Sequence, residues 1–477
     1  MRVLRNPGGQ STDGNVLSGA EQRRLPLTPG FEADNTKQGL PDRHSRLLHR
    51  GARDAFIVSV LGAAAGFAAH VVVARMIGKS EYGIYALMLS WVSVLSVIAQ
   101  AGQDNNVVRL LPTYLLRHEW GKARGLRYGT GALVLVVSMA IAVAGCIVVE
   151  FAGSHQSASW RRTFFIGFAM LPIVTQLQQS GAMHRAFKRA VSANAYVTIG
   201  RPVTLVIIMF AFTECLHRAD AQLAAVSSAL SAAVALSLSS AHMSRAWPAE
   251  TRGVRAHYEM AQWVPMGLRM CVLSWVIVAT NRVDVLLLGA LMGTTGVGPY
   301  YAAVNIAGFA FYAFQAVNVI LAPLIAERYD VGDLRGLEKL VRRGARVGFA
   351  GGVAATVLAA VVGHWALGVF GPGFTVAYYP LLVLLCGYCA MTAIGPGGFV
   401  LSMTVYQSQA SAFAAVGFVI NAVLAILLVP HLGALGAALS AGAQLIVWHL
   451  LTLRFVIAKV GINSSIFGRS YANRAAG

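Results

Sequence analysis

Charged side chains occur inside a stretch of the chain that is otherwise apolar. Arg282 and Asp284, next to Asn281, lie within the apolar run 264–292. At about 1.5 Å per helical residue, this run is longer than the roughly 30 Å hydrocarbon core of a bilayer, so the charges are expected deep in the membrane. A charge that faces lipid at that depth costs roughly 2.5 to 3.5 kcal/mol. These side chains are therefore expected to face protein or a water-filled cavity.

We predict one continuous helix for this run, with its polar residues divided between two faces. Thr280, Asn281 and Asp284 have helical spacing and share one polar face. Arg282 then points toward a neighbouring helix or another part of a cavity. Two roles stay open for Asp284, because buried acids bind coupling protons or cations and also hold arginines in place.

Three further arginines and one glutamine are candidates for the same substrate cavity: Arg201, Arg269, Arg75 and Gln176. An arginine stays charged and can bind phosphate or carboxylate oxygens through two parallel hydrogen bonds. For Arg201, beside Pro202, a structural role is an equal alternative. Arg75 and Arg269 lie near the ends of apolar segments, where they can extend to lipid head groups instead. Gln176 can instead form hydrogen bonds between helices.

The sequence offers no catalytic residue and no metal site. An enzyme acting on lipid-linked sugars would need clustered His, Asp or Glu residues or a large exported loop, and neither is present. Cys386 and Cys389 form a C-x-x-C motif without a second pair or a nearby histidine, so we interpret them as packing residues. We expect no enzyme activity and no cofactor, apart from H⁺ or Na⁺ as a coupling ion.

The composition is that of a polytopic membrane protein. Hydrophobic residues make up 56% of the 477 residues, charged residues make up 12%, and the mean hydropathy is +0.62. A water-soluble domain of this size carries more charge. We predict an all-α protein with about twelve transmembrane helices: 55–77, 83–102, 129–152, 164–184, 195–214, 222–243, 264–292, 300–326, 347–370, 377–401, 410–429 and 434–457.

The distribution of basic residues predicts the orientation. Thirty of the 38 lysines and arginines lie in the N-terminal tail, in the loops after even-numbered spans, and from Arg454 onward, whereas the opposite loops hold four. Cytoplasmic loops are enriched in basic residues, so both termini are expected in the cytoplasm. This topology also explains the net charge of +19 without a nucleic-acid partner.

The two halves of the chain repeat. Gly78, Gly83 and Tyr85 recur 215 positions later as Gly293, Gly298 and Tyr300. A second set recurs 211 positions later: Pro112, Gly121, Arg124, Gly125 and Leu126 correspond to Pro323, Gly332, Arg335, Gly336 and Leu337. Six intervening spans give both copies the same orientation, an arrangement typical of transporters that bind substrate between the repeats. Chance recurrence in a chain with 49 glycines is the alternative.

The repeats define the predicted domain boundaries. We expect a disordered basic cytoplasmic tail at 1–53, a six-helix N-terminal lobe at 54–243, a cytoplasmic linker at 244–263, a six-helix C-terminal lobe at 264–458, and a cytoplasmic tail at 459–477.

Several segments together resemble a known family. They read GKSEYGIYALMLSW, VVRLLPTY, DVLLLGALMGTTGVGPYYAAVNIAG, APLIAE, FGPGF and NAVLAILLVPHLGALGAALSAGAQ. They resemble the polysaccharide exporter, or oligosaccharide flippase, branch of the multidrug/oligosaccharidyl-lipid/polysaccharide (MOP) exporter superfamily, from about residue 52 to residue 460. In this resemblance Asp284 matches the acidic residue before the family's L-L-G, and Gly298 and Tyr300 match the turn into the eighth helix.

The resemblance implies a MATE-like alternating-access carrier in the bacterial inner membrane. Its expected substrate is an oligosaccharide on undecaprenyl pyrophosphate, moved to the outer leaflet for exopolysaccharide, capsule or O-antigen synthesis. Expected partners are this lipid-linked oligosaccharide, membrane lipids and other polysaccharide-assembly proteins. The alternatives are a cation-coupled multidrug extruder on the same scaffold and, less favoured, a membrane enzyme that modifies polysaccharides.

Overall fold

The chain folds almost entirely into helices. The computed structural model describes residues 41–404 and 406–467, which contain no β-strand. The α-helices of the described residues are α1 Pro41–Gln100, α2 Gln103–Leu116, α3 Trp120–Ala152, α4 Ala158–Ala169, α5 Leu171–Ala186, α6 Ala190–Ala195, α7 Arg201–Leu216, α8 Ala221–Ala246, α9 Met260–Thr280, α10 Val283–Met292, α11 Val297–Asp330, α12 Leu334–Gly368, α13 Tyr378–Ile394, α14 Gly397–Ser402, α15 Gln407–Leu432 and α16 Ala434–Phe455. The described residues from Arg50 onward form one compact unit, in which all the contacts below lie.

The predicted apolar spans all coincide with helices. Within the described residues, nine helices are long and apolar enough to cross a membrane. One of these, Ile57–Gln100, holds two predicted spans joined at Gly78, where the backbone is not helical. The predicted spans 164–184 and 300–326 lie in α4 with α5 and in α11. The all-α polytopic fold is therefore confirmed.

The predicted tails lie largely outside the described residues. Residues 1–40 and 468–477 are not described, but α1 begins at Pro41, so residues 41–53 are helical rather than part of a disordered tail. Proline suits the first helical position, and a helix that has started in an apolar span extends easily. At the other end, Ile466 N donates to Ala393 O at 3.0 Å and Ser464 Oγ donates to Ile394 O at 3.3 Å. The segment 461–467 therefore packs where α13 ends.

The seventh predicted span is broken. Helix α9 ends at Thr280 and α10 begins at Val283, so the prediction of one continuous helix with Thr280, Asn281 and Asp284 on a shared face is wrong. Thr280 Oγ1 donates to Val276 O at 2.6 Å and Asn281 Nδ2 donates to Ile277 O at 2.8 Å. Side chains that bond the preceding turn compete with the helical ladder, which favours ending the helix here.

The repeated glycines meet at one end of the bundle. Gly78 and Gly293 adopt the same left-handed backbone, with φ of 76° and 73°. A methyl group built on Gly83 would lie 2.0 Å from Thr294 O, and one built on Gly298 would lie 2.3 Å from Lys79 O. Thr294 and Gly298 are the 215-residue equivalents of Lys79 and Gly83, so the contact is reciprocal, as expected about a twofold axis. We call this end the turn end.

The opposite end, where α3 and α12 begin with basic residues, is called the basic end. A single large core joins both lobes toward the turn end, and it includes Tyr82 and Phe374. At the basic end there are two separate cores, one around Leu126 and Trp263 and the other around Leu337. The lobes are thus packed together at the turn end and have separate cores at the basic end.

One helix of the C-terminal lobe bridges the lobes at the basic end. Asn106 Nδ2 of α2 donates to Trp263 O of α9 at 2.7 Å. Gly102 and Gly267 let the two backbones approach, since a methyl group on Gly102 would lie 2.0 Å from Gly267 O. The first half of α9 therefore packs against the N-terminal lobe, and its second half, through Cys271, Ser274 and Val278, lines the space between the lobes.

Candidate functional site

Two adjoining chambers lie between the lobes, and together we call them the central cavity. The arginine chamber has a volume of about 250 Å³ and is lined by α1, α5, α7 and α8 together with Arg282 and Tyr301 from the C-terminal lobe. The amide chamber has a volume of about 320 Å³ and lies nearer the basic end. Gln178 and Val197 line both chambers, so the two chambers adjoin each other.

Both deep arginines of the sequence line the arginine chamber, and each lies at a helix irregularity. Arg201 follows a π-helical turn, Tyr196–Gly200, and Arg282 occupies the break before α10. Arg201 donates to Ser228 Oγ at 3.3 Å, and the Arg282 guanidinium lies 5.7 Å from the centre of the Tyr301 ring. Neither arginine forms an ion pair among the described residues. Two guanidinium groups therefore face one chamber without a carboxylate partner.

The amide chamber is polar and carries charges of both signs. Its polar lining includes Gln100, Gln178 and Asn194, and its charged lining consists of Asp104 and Arg185. Gln100 Nε2 donates to Thr175 O at 2.7 Å, whereas its buried Oε1 has no partner in the described part of the chain. Amides and carboxylates bind hydroxyl groups well. This chamber is chemically suited to a sugar.

An aromatic layer separates the arginine chamber from the turn end. The Phe67 ring lies 5.5 Å from that of Phe370, and the Tyr82 ring lies 5.8 Å from that of Phe374 and 6.2 Å from that of Tyr301. Tyr82, Phe370 and Phe374 are fully buried. These contacts run between the lobes, so the cavity is closed toward the turn end.

Asp284 does not line either chamber. It is buried, and it accepts a hydrogen bond of 2.6 Å from Tyr300 Oη through Oδ2. Its Oδ1 has no partner, and no arginine lies within ion-pair distance in the described part of the chain. The sequence left two roles open for Asp284, and the one that pairs it with an arginine is not formed. The break in the helix turns Arg282 toward the cavity and Asp284 into its own lobe.

The other candidates lie away from the central cavity. Asn281 is exposed in the break after α9, and Arg269 is exposed on α9, where it shares a face with the exposed Val272. Arg75 is exposed at the turn end and donates from Nε to Val369 O at 2.6 Å, which joins the lobes. Gln176 donates to Gly131 O at 2.8 Å and lines a separate groove. Arg75 lies one turn before the break at Gly78, whereas Arg269 lies in the middle of α9 on its exposed face.

Sequence reasoning missed several residues of the site. His70, Tyr85 and Tyr301 line the arginine chamber, and Asp104 and Arg185 line the amide chamber. A histidine within the first apolar span was a usable signal for His70, because ionisable residues in membrane spans face the interior. The two tyrosines gave no such signal, since aromatic residues are common in apolar spans.

The sequence comparisons identify one family. The sequence model of a family described as polysaccharide biosynthesis protein matches residues 51–328, more than half of the chain. A search of curated proteins gives no match.

Solved structures with the same fold extend over both lobes. A MATE-family multidrug resistance transporter of the MOP superfamily, in an inward-facing conformation, aligns with a TM-score of 0.71 and 12% identity, over 86% of this chain and 98% of that chain. The lipid II flippase MurJ, in an inward closed conformation, aligns with a TM-score of 0.63 and 11% identity, over 84% and 86%. A MOP-superfamily transporter from Pyrococcus furiosus aligns with a TM-score of 0.56 and 11% identity, over 86% and 94%. At these identities the likeness shows the fold, which agrees with the predicted MATE-like class.

Proposed function

The chain belongs to the polysaccharide biosynthesis protein family, and from this premise we propose that it is a membrane transporter that moves a lipid-linked oligosaccharide between bilayer leaflets. The proposed substrate is an oligosaccharide on undecaprenyl pyrophosphate, and the proposed direction is from the cytoplasmic to the outer leaflet of the inner membrane. The product would serve exopolysaccharide, capsule or O-antigen synthesis, alongside other polysaccharide-assembly proteins.

The observation that carries this proposal is the arginine chamber. A pyrophosphate cannot cross hydrocarbon unaided, because burying a charge without a partner is very costly. Arg201 and Arg282 provide two guanidinium groups free of carboxylates, and guanidinium binds phosphate oxygens in a bidentate manner. The adjoining amide chamber supplies acceptors and donors for sugar hydroxyls. A pyrophosphate bound in the arginine chamber would account for its two arginines, and sugars bound in the amide chamber would account for its amide groups.

Transport would proceed by alternating access. The lobes are sealed at the turn end by the aromatic layer and have separate cores at the basic end. If the basic end is cytoplasmic, as the loop charges predict, substrate would enter between the lobes from that end. Release would require the contacts of Tyr82 and Phe67 with the C-terminal lobe to open.

Asp284 is the proposed site of a coupling ion, H⁺ or Na⁺. A buried carboxylate with one oxygen free of partners can take up a proton or contribute to a cation site. It lies two residues from Arg282, so a change in its charge acts directly on the electrostatics of the arginine chamber.

A cation-coupled multidrug extruder is the rival function on this scaffold. The two unpaired arginines disfavour it, because they repel cationic drugs from the arginine chamber. A membrane enzyme is not supported by the comparisons, since the similar structures described above are two transporters and a flippase.

The test uses purified protein in liposomes that contain a fluorescent undecaprenyl-pyrophosphate oligosaccharide. We expect Arg282→Ala and Arg201→Ala each to slow its transfer by about tenfold or more, the loss expected for a charge-assisted hydrogen bond to phosphate. Arg269→Ala is the matched control, because it removes an exposed arginine from the helix next to Arg282. Unchanged transfer in both cavity variants, or transport of small cations without transfer of the glycolipid, would reject the proposal.

A further inference from the structure

A second polar recess lies on the perimeter of the N-terminal lobe, and we call it the perimeter groove. It has a volume of about 360 Å³, lies between α3, α5 and α8, and its polar lining includes Arg127, Gln176, Gln179 and Ser240. Helix α5 separates it from the central cavity, because Gln178 faces the chambers whereas Gln176 and Gln179 face the groove. The function proposed above makes no use of it.

The groove opens toward lipid at the depth of the head groups. Arg127 and Tyr128 immediately precede the predicted apolar span 129–152, and Tyr128 is 51% exposed. Leu135, two turns further along α3, is 44% exposed, so the groove continues along a surface that meets acyl chains. A ligand in it would therefore approach from within the membrane.

Arg127 provides an unpaired cation at the mouth of the groove. Its guanidinium lies 4.6 Å from the centre of the Trp247 ring and 5.5 Å from that of the Tyr128 ring. No carboxylate and no hydrogen-bond acceptor contacts it among the described residues. Stacking against aromatic rings fixes the guanidinium plane and leaves its N–H groups for an anion.

The floor of the groove presents amide oxygens without donors. Gln176 Nε2 donates to Gly131 O at 2.8 Å, and Gln179 Nε2 donates to Thr130 Oγ1 at 2.9 Å. In the described structure neither Oε1 accepts a hydrogen bond, and Gln179 is only 1% exposed. An unpaired buried amide oxygen costs about 1 to 3 kcal/mol, which a ligand with hydroxyl donors would offset.

We propose that the perimeter groove is a specific site for a phospholipid of the phosphatidylglycerol class. Its phosphate would bind Arg127, and the hydroxyls of its head-group glycerol would donate to Gln176 and, after a small rotation of the side chain, to Gln179. Gly131, bonded to Gln176, lies one helical turn from Arg127 on α3, so the cation and the amide belong to the same groove. Basic pockets between helices are known to bind anionic head groups.

The experiment measures lipid binding to the purified full-length protein by native mass spectrometry and by thermal unfolding in detergent. We expect phosphatidylglycerol to be retained and to raise the unfolding temperature more than phosphatidylethanolamine or phosphatidylcholine does. Equal retention of all three lipids would overturn the proposal, because the groove would then hold only unspecific boundary lipid. Equal stabilisation by soluble glycerol 3-phosphate would also overturn it.

Two variants test the two halves of the site. Arg127→Gln is expected to weaken phosphatidylglycerol binding by about tenfold, because a charge-assisted hydrogen bond is lost. Gln179→Leu is expected to reduce the preference for phosphatidylglycerol over phosphatidylethanolamine, without lowering the unfolding temperature in lipid-free detergent. Arg269→Gln is the matched control, an exposed arginine outside the groove. Wild-type selectivity in both groove variants would overturn the assignment.

The outcome is independent of the transport proposal. Arg282→Ala is expected to keep the phosphatidylglycerol effect in full, because Arg282 lies in the other cavity. Loss of the lipid effect in Arg282→Ala would indicate a common structural cause and overturn the separate site.

Discussion

At the scale of the residue, two neighbouring charges have separate environments. Arg282 faces the arginine chamber, whereas Asp284 is buried and accepts a hydrogen bond from Tyr300. The sequence places them two positions apart, and the break between α9 and α10 directs them to opposite sides. Mutations at the two positions should therefore have different effects.

Removing the Tyr300 hydroxyl should destabilise the protein. Tyr300→Phe leaves the buried Asp284 carboxylate without the one side-chain donor that it has among the described residues, which costs about 1 to 3 kcal/mol. Thermal unfolding in detergent measures this loss. Tyr301→Phe is the control, because the Tyr301 hydroxyl forms no hydrogen bond in the described part of the chain. Equal unfolding temperatures for Tyr300→Phe and the wild type would contradict the role given to this bond.

Asp284 can be tested as the coupling site by removing its charge while keeping its shape. If Asp284 carries the coupling ion, Asp284→Asn should transfer the glycolipid at a rate that no longer responds to an imposed H⁺ or Na⁺ gradient. The measurement compares proteoliposomes with and without each gradient. A gradient response equal to that of the wild type would assign coupling to another residue.

At the scale of the helices and turns, the reciprocal glycine contact holds the lobes together. Gly298→Ala would place a methyl group 2.3 Å from Lys79 O, so the turns must move apart. We expect the free energy of unfolding to fall by about 1 to 3 kcal/mol, which is typical of overpacking. We also expect a cysteine introduced at the turn end to react faster with water-soluble thiol reagents. Gly296→Ala is the matched control, since its φ is −81° and a methyl group built on it would have no atom of the described residues within 4 Å. Similar behaviour of both variants would argue against a close contact.

A hydrogen-bonded cluster at the basic end attaches α9 to the N-terminal lobe. Glu259, just before α9, accepts from Lys122 Nζ at 3.0 Å and from Tyr114 Oη at 3.0 Å. The Lys122 hydrogen bond is the main cause that lowers the pKa of Glu259. A carboxyl group with a lowered pKa in the folded state stabilises it fully above its unfolded pKa of about 4.3, and this contribution is lost as the pH falls through the folded value.

This linkage predicts a difference in acid stability. Below about pH 4.3 the unfolding temperature of the wild type should fall more steeply than that of Glu259→Gln, which has already lost the interaction. Thermal unfolding measured from pH 7 to pH 3 tests this. Glu250→Gln, which changes an exposed glutamate of the same linker, should follow the wild type. If the unfolding temperatures of the wild type and Glu259→Gln fell in parallel with pH, the contribution of the Glu259 carboxylate to stability would be excluded.

At the scale of the whole molecule, orientation decides which leaflet the cavity serves. The positive-inside distribution predicts that the basic end is cytoplasmic. A fluorescent-protein fusion after Gly477 should therefore fluoresce, and an alkaline phosphatase fusion there should be inactive. The same phosphatase inserted in the turn after Gly293 should be active. An active phosphatase at the C-terminus would invert the proposed direction of transport.

The sequence by itself determined the membrane class, the positions of the helical spans and the repeat. These depend on apolar length and on recurring residues such as Gly78 and Gly293, which are local properties of the chain. It also identified Arg201 and Arg282, since a charge inside an apolar span must face the interior.

Only the tertiary structure decided which polar residues share the cavity. The sequence grouped Asn281, Asp284 and Gln176 with Arg282, but a break of two residues turned Asp284 into its lobe, and Gln176 faces the perimeter groove. His70 and Asp104 joined the cavity through packing between helices distant in sequence. Helical periodicity fixes side-chain direction only while the helix continues, and it says nothing about which helix lies opposite. Contacts between distant helices therefore decide the site.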